Sequence, residues 1–363
     1  MATRIESPTP QAGSASLNGA VLRGVAILSI ILHNYCHVLK GAIFENEFTY
    51  QSWHVSKLLN YLAHPNIYLP LQLLSFFGHY GVVIFVFLSA YGLEKKYGHS
   101  TQEVPIIPFI WTHYLKLLSM CISGYAAYLL LNAYYTDYPS SVIFGVLSQL
   151  SMLSNLQIFN AETFAPGPYW YFGLTFQLYV LYRLFFFRRS WEIIVGVIIL
   201  SCIAQAIVSP AGQMMDWLRN NFIGSILPFG LGLLYARYEE KIQLSKTTDT
   251  LIGLASLTLI FVTSLSFISW IFTPIFVCTL GISFIKLLPE GQNKPLSWLG
   301  RISAAIFVSH PLARKISLIM SEKYHFSHYP SVLIFIIGAL ILGILFQPIL
   351  QRSTQLFIKP ARH

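Results

Sequence analysis

Apolar residues in this chain come in long runs, many close to 20 residues, separated by short polar breaks. A helix that crosses the hydrocarbon layer needs about 20 mostly apolar residues. On that measure about ten spans are expected, at 20–40, 76–94, 108–135, 168–187, 190–209, 219–237, 248–266, 268–288, 298–319 and 330–351. Two further stretches fit less well. Residues 50–77 are interrupted by Pro65 and Pro70, and residues 140–156 carry Ser, Gln and Asn. Both are expected as interfacial or re-entrant pieces on the outer side. The expected fold class is all-α: a polytopic transmembrane helix bundle in a lipid bilayer.

Composition agrees with the pattern. The chain is 55% hydrophobic and only 10% charged, against about 25% charged residues in soluble proteins. Charge adds a direction. With the N-terminus inside, 17 of the 23 Lys and Arg residues fall on the cytoplasmic side, which predicts cytoplasmic N- and C-termini. The stretch 134–168 has no Lys or Arg, as an outer loop should. The net charge of +9 does not indicate a nucleic-acid partner, because the basic residues are dispersed at segment ends. The division expected is a disordered cytoplasmic segment at 1–19, a membrane domain at 20–351 and a cytoplasmic tail at 352–363. The four cysteines all sit in apolar segments with no CxxC pair, and read as small hydrophobes.

Polar residues inside the apolar runs mark the candidate chemistry, since an ionisable group at the bilayer centre costs roughly 2.5–3.5 kcal/mol on insertion scales. The first run, LRGVAILSIILHNYCHVL, holds Arg23, His33 and His37. Arg23 and His33 are about 15 Å apart along a helix axis. That puts Arg23 at the cytoplasmic interface and His33 near mid-membrane, with His37 one turn beyond. A neutral imidazole there is suited to general-base work. A metal pair lacks the acidic partner of an HExxH motif, so no metal is expected. Further along, His310 precedes Pro311 within the ninth span. It either faces the same interior as His33 or caps a carbonyl freed by the proline. Trp170, Tyr171 and Gln177 lie at the outer end of the fourth span, suited to an interfacial belt or to a sugar-stacking platform.

Four blocks, in order, carry a family resemblance. LRGVAILSIILH resembles the first-helix arginine and histidine pattern of the acyltransferase 3 family of membrane acyltransferases. FFGHYGVVIFVFLSAYGL, PGPYWYFGLTFQLYVLY and LSWLGRISAAIFVSHPL resemble its later blocks. The departures are informative. Nine residues, not ten, separate Arg23 from His33, and Asn34 takes the usual register. Asn34 then lies within about 20° of the Arg23 face, His37 about 40° and His33 about 80° away. Thr175 stands where the family often has a carboxylate. The family's R-x-x-R on the third helix appears as His113 and Lys116.

The resemblance implies transfer of an acyl group, commonly acetyl from acetyl-CoA, to a hydroxyl of a cell-surface or exported carbohydrate, at the cell inner membrane. It implies His33 or His37 as base or acyl relay, with His33 preferred, and Arg23 beside them. Arg23, His113 and Lys116 are then expected to hold the phosphates of acyl-CoA, which serves as donor substrate with no resident cofactor. Trp170, Gln177 and His310 are expected to contact the acceptor. A transporter or exporter of an acylated or anionic solute, using the same polar interior, is the alternative. It would gain from paired broken helices in two repeats, and no such repeat is visible.

Overall fold

The computed structural model describes residues 17–98, 100–101, 103–135, 142–157, 166–289 and 293–358. Residues 1–16 and 359–363, parts of the two expected terminal segments, lie outside the described residues. Among those described, every regular element is helical and none is a strand.

The chain opens with α1 (Gly19–Cys36), α2 (Ser52–Ala63), α3 (Leu69–Phe77), α4 (Gly81–Leu93), α5 (Ile106–Tyr135) and α6 (Val142–Leu150). There follow α7 (Trp170–Leu181), α8 (Trp191–Ala206), α9 (Gln213–Asn220), α10 (Phe222–Tyr238) and α11 (Lys246–Thr263). The rest are α12 (Phe267–Trp270), α13 (Thr273–Leu287), α14 (Lys294–Arg301), α15 (Ser303–Tyr324) and α16 (His328–Phe357). Among the described residues four helices are long and apolar enough to cross a membrane: α1, the run Leu69–Gly98, α5 and α16. The count is five if α14 and α15, bent by 74° at their junction, form one broken span. Helices α8 and α13 are apolar but shorter.

Several expected boundaries move, each for a local reason. Residues 69–77 belong to the second span rather than to an interfacial piece, because Pro70 occupies the first helical turn, where a missing N–H costs nothing. The stretch expected as a straight ninth span is bent. Its first part, α14, carries Lys294 and Arg301 and turns away from α15 at Ile302. In the stretch expected as the sixth span the helix starts at Phe222, since Asn221 is extended and its side-chain amide donates to the Asn155 and Trp217 carbonyls. Arg219 therefore sits on the separate helix α9. Helix α16 runs on to Phe357, past the expected boundary at 351.

Helix α1 is central. It packs on α14, α4, α3 and α15, so one face after another of the same 18 residues is in contact with protein. Close approach is set by glycine. A Cβ on Gly78 would lie 2.7 Å from the His33 Cβ and 2.9 Å from the Ser29 carbonyl oxygen. Only hydrogen allows this crossing of α1 with the turn that links α3 to α4.

Candidate active site

A cavity of about 840 Å³ runs along α1 and is lined there by Ala20, Arg23, Ile30, His33, Asn34, His37 and Val38. Ala20 to Val38 spans about 27 Å at the helical rise, close to the thickness of a bilayer's hydrocarbon core. The opposing walls come from α4, α5, α7 and α15, with Phe85, Met120, Tyr171 and Phe307 among them.

The two ends differ in chemistry. At one end Arg23 on α1, Lys116 on α5 and Arg301 on α14 all line the cavity. Arg23 is held by its own helix, its Nε donating to the Gly19 carbonyl at 3.2 Å. At the other end the loop after α1 closes over the cavity with Phe44, Glu45, Asn46, Glu47 and Phe48. That loop is fastened at several points. Lys57 donates to the Ala42 carbonyl at 2.6 Å and Tyr61 to the Gly41 carbonyl at 2.8 Å. The Gln72 side chain accepts from the Ile43 amide at 3.0 Å. His54 pairs with Glu45 at 2.9 Å. Phe48 meets Trp170 edge to face with centroids 4.9 Å apart.

Near the loop end lies a histidine cluster. His33 is 4% exposed, and its Nδ1 donates to the Ser75 carbonyl at 2.9 Å. A carbonyl only accepts, so the proton is on Nδ1 and Nε2 carries the lone pair. The ring centroids of His37 and His79 lie 4.7 and 5.5 Å from that of His33. Both His79 ring nitrogens and His37 Nδ1 are buried without a partner. Arg314, on the α15 wall, donates to the Asn34 carbonyl at 3.2 Å. Among the described residues no group of three His, Cys, Asp or Glu is placed to hold a metal ion.

The sequence-derived candidates divide between lining and scaffold. Arg23, His33, His37, Lys116 and Trp170 come together on one cavity. Asn34 joins them, so the register question resolves into a face wide enough for all three positions. His113 stands outside the lining. Its Nδ1 donates to the Phe109 carbonyl at 2.8 Å and its ring packs on Phe109 and Tyr179. Gln177 is likewise outside, donating to Asn221 at 2.8 Å and accepting from the Phe222 amide at 3.0 Å, where it ties down the start of α10. His310 is fully buried away from the cavity lining. Its Nδ1 donates at 2.8 Å to the Phe307 carbonyl, the one that Pro311 leaves without an amide partner.

Sequence reasoning passes over Arg301, Arg314, Glu45 and Glu47. The first two read as ordinary topology charges. The carboxylates lie in the connection 37–51 between α1 and α2, which follows no hydrophobic period and is silent to a search for spans. The available signal is two acids in the short string FENEF. Burial pushes the carboxyls of both up, Glu47 to about 7, with loss of hydration the leading cause and Arg219 opposing it.

No curated protein and no solved structure matches the chain. The acyltransferase domain family matches residues 19–347, a range that takes in every wall of the cavity, and the chain therefore belongs to the acyltransferase 3 family, with the membrane acyltransferase activity that the family suggests.

Proposed function

We propose that the protein is an O-acyltransferase of the cell inner membrane, moving an acyl group, acetyl in the simplest case, from acyl-CoA to a hydroxyl of a surface or exported carbohydrate. One observation carries the reading: a single cavity joins a cluster of cations to an imidazole with a free lone pair, and continues to a polar and aromatic mouth. Coenzyme A is polyanionic, so its phosphates belong with Arg23, Lys116 and Arg301. About 15 Å separates Arg23 from His33 along α1, a gap for the uncharged pantetheine arm among apolar side chains. The acceptor enters past Trp170 and the loop. The cation end faces the cytoplasm in this reading, with both termini inside.

The chemistry balances on the chain's own groups. The acceptor hydroxyl attacks the thioester carbonyl as its proton passes to His33 Nε2. The carbon–sulfur bond breaks, and the proton leaves with the thiolate. The relay variant acylates Nε2 first and then passes the acyl group on. His37, one turn away, is the second candidate for either task.

The test is acyl-CoA turnover by purified protein in detergent, comparing wild type with His33→Ala and His37→Ala. His33→Ala is expected to lower CoA release at least about 100-fold, within the roughly 10²–10⁴ that general-base catalysis supplies. Wild-type turnover in both His33→Ala and His37→Ala would overturn the reading. The transporter alternative predicts the reverse pattern, with Arg23→Ala abolishing flux and CoA release absent throughout.

A further inference from the structure

Beside the histidine cluster lies another, much smaller void, of about 20 Å³. That is room for one water molecule. Valines of α4 and two prolines make up part of its wall, and His79, Tyr80, Glu47, Arg219 and Trp170 bring polar groups to the rest. His79 is 2% exposed with neither ring nitrogen partnered. A buried imidazole in that state is costly unless something polar reaches it. Glu47 lines this void and the large cavity together, and no cation among the described residues forms an ion pair with it.

The neighbours fix the arrangement. Arg219 holds the loop by its main chain, its Nε donating to the Glu47 carbonyl oxygen. The guanidinium is occupied elsewhere too. It lies 3.9 Å from the centroid of the Trp270 ring, and Nη1 donates to Gln205 at 3.0 Å. Glu45 is committed to His54 and to the Asn46 amide. Tyr80 is committed to Ser264 at 2.7 Å. Glu47 and His79 are the two ionisable groups at the void with capacity left, and the Ser225 hydroxyl and the Trp170 indole line it beside them.

We propose that one water in this void joins His79 to Glu47, and that this pair acts through His79 on His33 as a positioning device, the carboxylate stabilising positive charge when His33 takes up the acceptor proton. The proposal rests on His33 as base. The Ser75 carbonyl already orients the His33 ring through Nδ1, so His79 bears on it through an edge-to-face ring contact, with centroids 5.5 Å apart, and the carboxylate behind the water acts by its charge. The proton itself is not retained by Glu47. It moves from the acceptor oxygen to His33 Nε2 and then to the thiolate sulfur.

The charges that bear on the cluster come from every element around it. His37 stands at the end of α1, Arg314 on α15, Arg219 on α9 and Glu45 on the same loop as Glu47. Three of these are basic, and Glu45 is already paired, which leaves Glu47 to offset them. Because its carboxyl titrates at about 7, the device works above that pH and lapses below it.

The experiment compares acyl-CoA turnover in the presence of an acceptor for wild type, Glu47→Gln, His79→Asn and the double variant, from about pH 5.5 to about pH 8.5, either side of the Glu47 titration. Wild type and Glu47→Gln should agree within about twofold at the acid end, where the carboxyl is already neutral. By about pH 8 Glu47→Gln should be slower by about tenfold, a fraction of what a general base supplies, with the KM for acyl-CoA unchanged. His79→Asn should show a similar loss at the alkaline end, and adding Glu47→Gln to it should cost nothing more, since the two act in one chain. A loss that is the same at every pH would mark Glu47 as merely structural and overturn the proposal, as would additive effects in the double variant. His33→Ala separates the two ideas. If it is inactive while Glu47→Gln matches wild type at all pH values, this inference alone fails. If His33→Ala is fully active, the assignment of His33 as base fails with it.

Discussion

Two sets of cations share the Arg23 end of the bundle, and they are treated differently. Arg237, Lys95 and Lys286 each face a carboxylate: Glu94 at 2.7 Å, Glu239, and Asp249 at 3.7 Å respectively. Arg23, Lys116 and Arg301 line the cavity and have no carboxylate partner among the described residues. The first set holds helices together. Arg237 joins α10 to the end of α4, and also donates to the Arg189 and Phe186 carbonyls at 2.6 and 3.2 Å. The second set is held apart from acids on the wall of an open cavity. Cations kept without counter-charge in a low-dielectric wall are poised for an anion that arrives from outside.

The largest effect that would break this distinction is on the paired side. Glu94 is 3% exposed, and Arg237→Ala leaves its charge buried without compensation. Removal of one partner of a buried pair costs about 3–5 kcal/mol. The expected result is a large fall in thermal unfolding temperature in detergent, with the KM for acyl-CoA unchanged in whatever protein remains folded. An unfolding temperature equal to wild type would show that the belt is not structural.

The cavity cations should behave in the opposite way. Arg23→Ala and Lys116→Ala are each expected to raise the KM for acyl-CoA about tenfold, equivalent to about 1.4 kcal/mol, with little change in unfolding temperature. Salt screens charge–phosphate attraction, so the wild-type KM should rise with ionic strength and the gap to each variant should narrow. Titrating donor concentration at two ionic strengths checks both points. Equal KM values in all three proteins would remove the cavity cations from donor binding.

How much of this contrast was legible in the sequence depends on which residues carry it. The membrane class and the helical fold follow from the apolar runs, but the 3.6-residue period puts His33 about 80° from the Arg23 face, and only the width of the cavity brings Arg23, His33, Asn34 and His37 together. Which cation is paired does not follow. Lys95 and Lys116 look alike in sequence, and only the packing of α10 against α4 brings Glu239 to the former. The same limit explains His113, Gln177 and His310. Each sits in a motif, yet His113 and His310 turn Nδ1 to a nearby carbonyl and Gln177 ties down a helix start, a choice settled by rotamer and by proline. The 74° bend at the junction of α14 and α15 escaped for a related reason, since a run long enough to cross a membrane says nothing of a break within it. The loop with Glu45 and Glu47 was hidden differently. Irregular segments have no period to read, and their fixation comes from residues far along the chain, Arg219 and Gln72 among them.

Glu47 gives the smallest expected effect and sharpens the comparison furthest, because it is an acid left without an ion partner among cations that are left without acids. Burial holds its carboxyl at about 7, above the roughly 4.3 of a free glutamate. The folded state therefore binds this proton more tightly than the unfolded chain does. The resulting stabilisation is complete below the unfolded value and is lost as pH rises through about 7. Glu47→Gln removes the charge that is buried at a cost above that range. It should leave the unfolding temperature unchanged at about pH 4 and raise it at about pH 8, by about 2–4 °C for each kcal/mol relieved. A variant that is more stable at the alkaline end and slower there as well would mean that the chain keeps a destabilising charge at the cavity because catalysis uses it. A variant that is less stable there would mean instead that Arg219 compensates the carboxylate fully, and that the acid belongs with the paired belt after all.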